Sequence, residues 1–196
     1  MLRIAILASH RGSNLQAIID ASNRGEIDAE PALVISNNSQ AGALLRANEA
    51  GIQTLHLSSH KHPDTAALDV AMCDALRQHN IDLVVTAGYM KRLGKTTMNA
   101  YTGRIVNIHP SLLPKHGGKG MYGMKVHEAV IAAGDKETGA TVHHVEGDYD
   151  TGPIIAQRRI DVLPDDTPQS LAARLLPVEH ALLVDTIRQL NVDKTA

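Results

Sequence analysis

Short apolar runs alternate with amphipathic segments along the first half of the chain. The apolar runs predict buried β-strands, which cover residues 3–8, 31–36, 54–57, 82–88 and 105–109. The segments between them repeat apolar positions at helical spacing, and they predict helices over residues 15–22, 41–50, 64–80 and 96–101. Because strands alternate with helices through short connections, the pattern predicts a parallel sheet with right-handed crossovers.

The pattern changes in the second half of the chain. A predicted helix over 126–133 is followed by two alternating segments, 139–145 and 154–160, which predict an antiparallel strand pair. The predicted fold class is therefore α/β, with a Rossmann-like, mostly parallel sheet, flanking helices and an antiparallel C-terminal strand pair.

Two polar residues are predicted to cap the helices that follow them. Asp64 is predicted to cap the helix over 64–80, and Thr167 is predicted to cap a last helix that ends near residue 190. Proline lacks the N–H that continues a helix, so this last helix is expected to break or kink at Pro177.

Composition narrows the classes of function. Of the 196 residues, 43% are hydrophobic and 20% charged, and the net charge is −2, which favours one globular domain over residues 1–196 and argues against a nucleic-acid surface. The chain has four Tyr and neither Phe nor Trp, so the core is expected to be aliphatic. A flat heteroaromatic ligand is then expected to contact Leu, Val, Ile and Met, because aromatic stacking platforms are scarce.

Location is predicted from cysteine usage and from hydrophobic runs. The single cysteine, Cys73, is expected to act as a small apolar residue on a helix, which suits a reducing compartment. The chain shows neither a signal-peptide pattern nor an apolar run of membrane-spanning length. The prediction is a cytoplasmic protein without a membrane partner.

The strand over 105–109 ends in two polar residues that are candidates for chemistry. Side chains alternate along a strand, so Asn107 and His109 face the same side, and Pro110 ends the ladder. Ligands of open α/β sheets bind beyond the carboxyl ends of the strands. A catalytic site is one interpretation, and a strand end whose polar side chains only bond to a loop is the other.

A turn after the first strand is a candidate anion site. Gly12 permits close backbone approach, Ser13 or Asn14 is expected to cap the following helix, and Arg11 adds positive charge near its free N–H groups. A phosphate suits such a turn, although a plain strand-to-helix turn fits equally. The loop lacks both the dinucleotide fingerprint and the lysine of a P-loop, so neither NAD nor ATP binding is predicted.

Metal binding is not predicted. His56, His60 and His62 lie close together in sequence but have no partner cysteines or carboxylates at ligand spacing. Two loops are more informative: the glycine-rich segment 115–123, expected to cross the active face, and the acidic segment 146–153 between the two antiparallel strands.

Four segments together resemble the folate-dependent formyltransferases. They are Asn107 to Pro114 (NIHPSLLP), Gly12 to Ile18 (GSNLQAI), Ala87 to Met90 (AGYM) and Asp150 to Ile155 (DTGPII). The resemblance spans nearly the whole chain and is strongest to the branch that formylates phosphoribosylglycinamide in de novo purine (IMP) biosynthesis. It implies transfer of the formyl group of 10-formyltetrahydrofolate, as co-substrate, to the glycinamide amine, with no metal and no covalent enzyme intermediate.

The resemblance also implies catalytic roles. When an amine attacks the formyl carbon, a tetrahedral oxyanion forms, and donors aimed at that oxygen lower the barrier. Asn107 and a protonated His109 are the implied donors, and Asp150 is implied to pair with His109, to raise its pKa and to relay protons through water. His143 matches a supporting histidine of the family, although a core histidine that only hydrogen-bonds is an open alternative.

Substrate contacts are implied in the same way. Gly12, Ser13 and Asn14 are expected to bind the ribosyl phosphate, and Glu179 to meet the glycinamide or ribose end unless it is only a solvated helix carboxylate. The folate is expected along Met90, Lys91, Arg92 and Leu93, with Asn107 and the acidic loop, and with Lys91 or Arg92 near its glutamate tail. Residues 1–104 then form a phosphate- and ribonucleotide-binding half, and residues 105–196 a catalytic and folate-binding half. A monomer or homodimer is expected, with small-molecule substrates and no nucleic acid.

The chain departs from the family pattern at several positions. His10 stands where glycine is common, Thr65 lies in a helix-opening segment that often holds an arginine, and Lys91 follows Met90 where arginine is frequent. The 115–123 segment also differs from the commoner Pro-Gly version. A basic contact to folate or phosphate is therefore missing or supplied by other residues.

Three other functions compete with formylation of phosphoribosylglycinamide. A 10-formyltetrahydrofolate hydrolase shares the same polar residues but usually has an extra N-terminal regulatory domain. A methionyl-tRNA formyltransferase usually adds an RNA-binding domain and a basic surface, which a net charge of −2 does not favour. A folate- or phosphoribosyl-binding module without catalysis is disfavoured because Asn107, His109 and Asp150 are all present.

Overall fold

All seven strands of the computed structural model form one sheet, and the structure describes residues 1–195, with side chains to residue 191. The strands are β1 (Leu2–Leu7), β2 (Ala29–Ser36), β3 (Gln53–His56), β4 (Leu83–Thr86), β5 (Ile105–His109), β6 (Glu137–His144) and β7 (Ile154–Asp161). The helices are α1 (Ser13–Asn23), α2 (Gly42–Glu49), α3 (Thr65–Gln78), α4 (Lys95–Ala100), α5 (Met124–Ala132) and α6 (Pro168–Thr195).

The sheet has the order β3-β2-β1-β4-β5-β6-β7. Pairs among β1 to β5 are parallel, whereas β5 with β6 and β6 with β7 are antiparallel. The predicted α/β class with an antiparallel C-terminal strand pair is confirmed. The strand order reverses direction between β1 and β4, which is where open α/β sheets bind ligands.

The loops that follow β1 and β4 are joined at this reversal. Ser9 N–H donates to the Gly88 carbonyl at 3.1 Å, and Met90 N–H donates to Ser9 Oγ at 2.8 Å. These bonds fix the start of the loop that follows β4 against the end of β1.

Alternating strand residues supply two apolar layers, one on each face of the sheet. Ile4 and Ile6 of β1 pack with helices α1, α2 and α6, whereas Ala5 and Leu7 pack with α3 and its neighbours. Both layers are largely aliphatic, as predicted, and each fully buried Leu or Ile contributes about 1.5–3 kcal/mol. Alternate side chains of β1 therefore pack against helices on opposite faces of the sheet.

Cys73 lies fully buried on α3, as its interpretation as a small apolar residue predicts. Within residues 1–195, no helix combines the length and the apolar character that crossing a membrane requires.

Of the break or kink predicted for helix α6 at Pro177, the break is wrong and the kink stays a prediction. The helix continues through Pro177 and runs to Thr195, beyond the predicted end near residue 190. An interior proline costs about 3 kcal/mol. Leu175 and Leu183 are fully buried on either side of the proline, so packing holds both parts of the helix on the same apolar layer.

Two of the three predicted helix caps are confirmed. Ala66 N–H donates to Asp64 Oδ1 at 2.9 Å at the start of α3, and Ser170 N–H donates to Thr167 Oγ1 at 3.1 Å at the start of α6. The predicted cap by Ser13 or Asn14 is wrong, because both residues lie inside α1 and the N-cap is Gly12, which has no side chain to accept a bond.

Gly12 is required by backbone geometry and by packing against α2. Its φ of 74° lies in the left-handed region, and a Cβ added there would lie 2.7 Å from Ala43 Cα. Because backbone atoms cannot move aside as a flexible side chain does, no larger residue fits without displacing α2. The glycine therefore sets the distance between the first turn of α1 and the first turn of α2.

We expect Gly12→Ala to lower the free energy of unfolding by about 2–3 kcal/mol, since it combines left-handed strain with a backbone clash. Urea denaturation measures this change. Gly25→Ala is the matched control, because Gly25 also has a positive φ (68°) but nothing lies within 4 Å of its added Cβ. Equal losses in the two variants would contradict the packing explanation.

Candidate active site

A cavity of about 390 Å³ lies beyond the carboxyl ends of β4 and β5. Four stretches line it, namely residues 88–93, 107–110, 118–123 and 147–150, together with single residues from β4 and β6. The cavity size suits a small-molecule ligand. The structure brings Asn107, His109, His143 and Asp150 together in its wall.

Asn107 lies in a row of three polar residues that crosses three adjacent strands. Thr86 of β4 is in register with Asn107 of β5, and Asn107 is in register with His143 of β6. Thr86 Oγ1 donates to Asn107 Oδ1 at 2.8 Å, and Asn107 Nδ2 donates to His143 Nε2 at 3.0 Å. The amide is therefore held from both sides, and its second N–H remains for a ligand in the cavity.

His143 determines which way the Asn107 amide points. Its Nδ1–H donates to the His144 carbonyl at 2.8 Å, so in the neutral ring Nε2 is an acceptor and receives the Asn107 N–H. The ring is only 2% exposed. The two interpretations of His143 are thus compatible, since it is a core histidine whose hydrogen bond orients a residue of the cavity.

His109 is buried and faces two acceptors. Its Nε2–H donates to the His116 carbonyl at 2.9 Å, and its Nδ1 lies 3.5 Å from Asp150 Oδ2. Burial lowers the pKa of His109, and the Asp150 carboxylate and the His116 carbonyl oppose that shift without reversing it. Asp150 thus acts on the pKa of His109 in the implied direction, but the loss of hydration outweighs the nearby carboxylate, so the net shift favours the neutral imidazole.

Asp150, which lies in the acidic loop, contacts both His109 and His143. Its Oδ2 accepts the Gly118 N–H at 2.9 Å, and its Oδ1 lies 3.5 Å from His143 Nε2. Burial raises the pKa of Asp150, but the contacts of the carboxylate with His143, His109 and the Gly118 N–H together hold that pKa below its usual range. A carboxylate thus lies beside a neutral imidazole, an arrangement that can accept one proton.

The predicted folate residues line the same cavity. Met90, Lys91, Arg92 and Leu93 all contribute to its wall. Arg92 Nη2 donates to the Gly147 carbonyl at 2.8 Å and forms an ion pair with Asp148 at 3.0 Å. Arg92 therefore links the loop after β4 to the acidic loop, and Lys91 is a second exposed cation beside it.

Aromatic residues are concentrated at the cavity, contrary to the expectation from composition. Three of the four tyrosines, Tyr89, Tyr122 and Tyr149, line it. The wall of the cavity is therefore not purely aliphatic, and the expected contacts of a flat ligand stay a prediction. All three tyrosines lie in glycine-containing loops outside the predicted strands, and this placement was a signal in the sequence.

The predicted phosphate-binding residues lie outside this cavity. Gly12, Ser13, Asn14 and Glu179 are absent from its lining, and Ser13 lines a second cavity of about 530 Å³ beside α1 and α6. Glu179 of α6 is 9% exposed, so the alternative of a solvated helix carboxylate is wrong. The side chains of Asn14 and Glu179 hydrogen-bond to each other, which joins α1 to α6 at this point.

Glu179 has an unusual protonation equilibrium. Burial raises its pKa from 4.5 to about 7, and the hydrogen bond with Asn14 opposes the shift only in part. Because the folded protein holds this proton more tightly than the unfolded chain does, the contribution of Glu179 to stability falls as pH rises from about 5 to 8.

We predict that the free energy of unfolding of Glu179→Gln, relative to that of the unsubstituted protein, rises by about 2–3 kcal/mol when the pH is raised from about 5 to about 8.5. Glutamine does not titrate, so the variant escapes the loss of stability that Glu179 causes. Urea denaturation at both pH values measures the difference. Glu49→Gln, at an exposed position of α2, serves as the control and should show no such change. The same stability difference at both pH values would contradict the raised pKa.

Three residues of the site were missed by the sequence reasoning. Thr86 and Gly118 hydrogen-bond to Asn107 and Asp150, and the carbonyl of His116 accepts from His109. The signal for Thr86 was available, since it is the polar end of an apolar strand. A backbone contact such as that of His116 or Gly118 leaves no signal in residue type.

No group of three or more His, Cys, Asp and Glu side chains is placed to hold a metal ion among the residues that the structure describes. His56, His60 and His62 thus form no such group.

Comparisons of the sequence and of the structure with known proteins agree on one family. The formyl transferase family model matches residues 2–187. A phosphoribosylglycinamide formyltransferase of Vigna unguiculata, named as chloroplastic, is 40% identical over 188 residues, which is 96% of this chain and 60% of that protein. The enzyme of the same name from Bacillus subtilis is 37% identical over 190 residues, covering 97% of this chain and 95% of its own.

A solved structure agrees with these relatives. The crystal structure of phosphoribosylglycinamide formyltransferase from Bacillus halodurans superimposes with a TM-score of 0.89 at 39% identity, over 96% of this chain and 94% of that one. The chain spans only 60% of the length of the plant relative but nearly all of the two Bacillus proteins. With the family match extending over almost the entire sequence, the chain belongs to the formyl transferase family.

Proposed function

We propose that this protein transfers the formyl group of 10-formyltetrahydrofolate to the amine of 5′-phosphoribosylglycinamide, giving the formylated ribonucleotide and tetrahydrofolate in de novo purine biosynthesis. The observation that supports it most is that Asn107, His109 and Asp150 meet in one cavity whose wall also contains Met90 to Leu93. The names of the relatives point to the same reaction.

Asn107 is the proposed donor to the oxyanion. When the amine attacks the formyl carbon, negative charge develops on the formyl oxygen, and one donor aimed at that oxygen is commonly worth about 3–4 kcal/mol. The Asn107 amide suits this role because Thr86 and His143 already fix its orientation and leave one N–H for the cavity.

His109 and Asp150 are proposed to manage the proton of the attacking amine. In the neutral ring the proton lies on Nε2, and Nδ1 faces the Asp150 carboxylate at 3.5 Å without a proton between them. A proton released by the amine, directly or through water, is accepted on Nδ1 and is then stabilised by Asp150. The positive charge of the resulting imidazolium stabilises the oxyanion, and the ring returns the proton to the folate nitrogen as the tetrahedral intermediate collapses and tetrahydrofolate leaves.

The folate is proposed to lie along Met90 to Leu93 and the acidic loop. Lys91 is the proposed contact for its glutamate tail, because Arg92 is already paired with Asp148. Tyr89, Tyr122 and Tyr149 offer aromatic surface to the rings of the folate. The cavity takes residues from both the 1–104 and the 105–196 half, and the division into these halves within one domain stays a prediction.

The ribonucleotide phosphate is proposed to bind at the start of α1, through Gly12, Ser13 and Asn14. Free N–H groups at a helix start attract anions. Glu179, whose pKa is raised to about 7, lies near such an anion at lower electrostatic cost than an ordinary carboxylate, and it is proposed to contact the glycinamide or ribose end. Cytoplasmic location, a monomeric or homodimeric state and the lack of a nucleic-acid partner remain predictions.

The reaction is tested by following tetrahydrofolate with and without phosphoribosylglycinamide. We expect tetrahydrofolate to form only when the ribonucleotide is present, with one formylated product for each tetrahydrofolate. Equal tetrahydrofolate formation without the ribonucleotide, accompanied by formate, would identify a hydrolase instead. No turnover in either case, with both ligands bound, would identify a binding module.

We expect His109→Ala and Asp150→Asn each to lower kcat at least about 100-fold, which is the lower range for loss of positioned acid–base catalysis. Ribonucleotide binding, measured by calorimetry, should change little, because neither residue belongs to the proposed phosphate site. His60→Ala and Asp74→Asn are exposed controls of the same residue types. Turnover close to that of the unsubstituted protein in both site variants would exclude the mechanism.

A further inference from the structure

The segment 116–118 contacts both members of the His109–Asp150 pair. The His116 carbonyl accepts the His109 Nε2–H at 2.9 Å, and the Gly118 N–H donates to Asp150 Oδ2 at 2.9 Å. Both contacts are made by the backbone, so the path of the chain through residues 116 to 118 sets the orientation of the imidazole and the carboxylate.

His116 adopts a backbone conformation that a histidine side chain does not favour. Its φ is 54°, in the left-handed region, where a residue with a Cβ is less stable than glycine by about 1–2 kcal/mol. Gly117 and Gly118 follow it directly, yet the non-glycine residue occupies the turn that presents the carbonyl to His109. Another interaction must therefore hold residue 116 in this conformation.

The side chain of His116 supplies that interaction. Its Nε2 lies 2.7 Å from Asp135 Oδ2, and the two side chains are 14% and 9% exposed. Asp135 also pairs through Oδ1 with Lys115 Nζ at 2.5 Å, and these two partners hold the pKa of Asp135 below its usual range. Hydrogen bonds to a carboxylate are stronger than neutral ones, and partial burial protects this one from water.

The backbone around both partners is fixed independently. Asp135 lies between α5 and β6, where its N–H donates to the Val130 carbonyl at 3.3 Å. On the other side, Ser111 Oγ donates to the Lys115 carbonyl at 2.6 Å. Because the backbone is anchored at Asp135 and at Lys115, the hydrogen bond between Asp135 and His116 can set the direction of the His116 carbonyl.

We infer that Asp135 and the His116 side chain are positioning residues for catalysis: their hydrogen bond holds residue 116 in the left-handed turn that aims its carbonyl at His109. Neither side chain lines the cavity, so both act through His109 and not on a substrate. The bond to Nε2 keeps the proton there, which leaves Nδ1 facing Asp150 and ready to accept the amine proton. This inference depends on the proposed function, since it assigns a role to the orientation of His109.

The test compares variants of the full-length protein in the formyl transfer assay. We expect Asp135→Asn and His116→Ala to lower kcat about tenfold, the equivalent of one misdirected hydrogen bond, with the KM of both substrates changed less than about twofold. His116→Gly should lose less activity than His116→Ala, because glycine adopts the left-handed turn without the hydrogen bond to Asp135.

A double substitution separates this role from a merely structural one. In the H116G background, D135N should cause no further loss of kcat, since Asp135 then has no side chain of residue 116 to hold. Glu137→Gln on β6 removes the exposed pair with Arg159 of β7 and is the control, with unchanged kcat expected.

Two results for kcat would overturn the inference. In the first, D135N has the same kcat as the unsubstituted protein. In the second, D135N lowers kcat by the same factor whether residue 116 is histidine or glycine. Thermal unfolding of every variant identifies losses that follow global stability, which would also overturn it. If the unsubstituted protein itself fails to formylate the ribonucleotide, the proposed function fails, and that result differs from both.

Discussion

The site depends on the partly buried side-chain amide of Asn107, which is hydrogen-bonded on both sides. Thr86, Asn107 and His143 occupy one register row across β4, β5 and β6, so the hydroxyl, the amide and the imidazole can meet only if these strands are neighbours in this register. An unsatisfied buried amide costs about 1–3 kcal/mol, and this cost disfavours a shifted register. The same bonds that stabilise the sheet thus orient the N–H that the proposed mechanism uses.

The charges of the site follow from burial more than from pairing. His109 and Asp150 are neighbours, yet removal of the imidazole from water lowers the pKa of His109 while the carboxylate stays charged. The lowered pKa keeps the imidazole of His109 unprotonated in the free protein. Its Nδ1 is therefore available to accept the amine proton, and the Asp150 carboxylate beside it stabilises the imidazolium that forms.

Patterns that repeat along the chain were predictable, whereas contacts made by backbone atoms were not. Alternation placed Asn107 and His109 on one strand face, and the family resemblance added Asp150 from a distant loop. The sequence could not indicate that the carbonyl of His116 meets His109, because any residue presents a carbonyl. It also could not indicate that Pro177 lies inside a continuous helix, since burial of leucines on both sides outweighs its local penalty.

The central claim is that a fixed imidazole tautomer aims the Asn107 N–H into the cavity. Correlation spectra of ¹⁵N-histidine-labelled protein at pH 8, assigned with His143→Gln, report which ring nitrogen holds the proton. The account predicts a proton on Nδ1 of His143 and an unprotonated Nε2, because Nδ1 donates to the His144 carbonyl and Nε2 accepts from Asn107. A proton on Nε2 of His143 would mean that the amide oxygen of Asn107 faces the ring, and it would contradict the account.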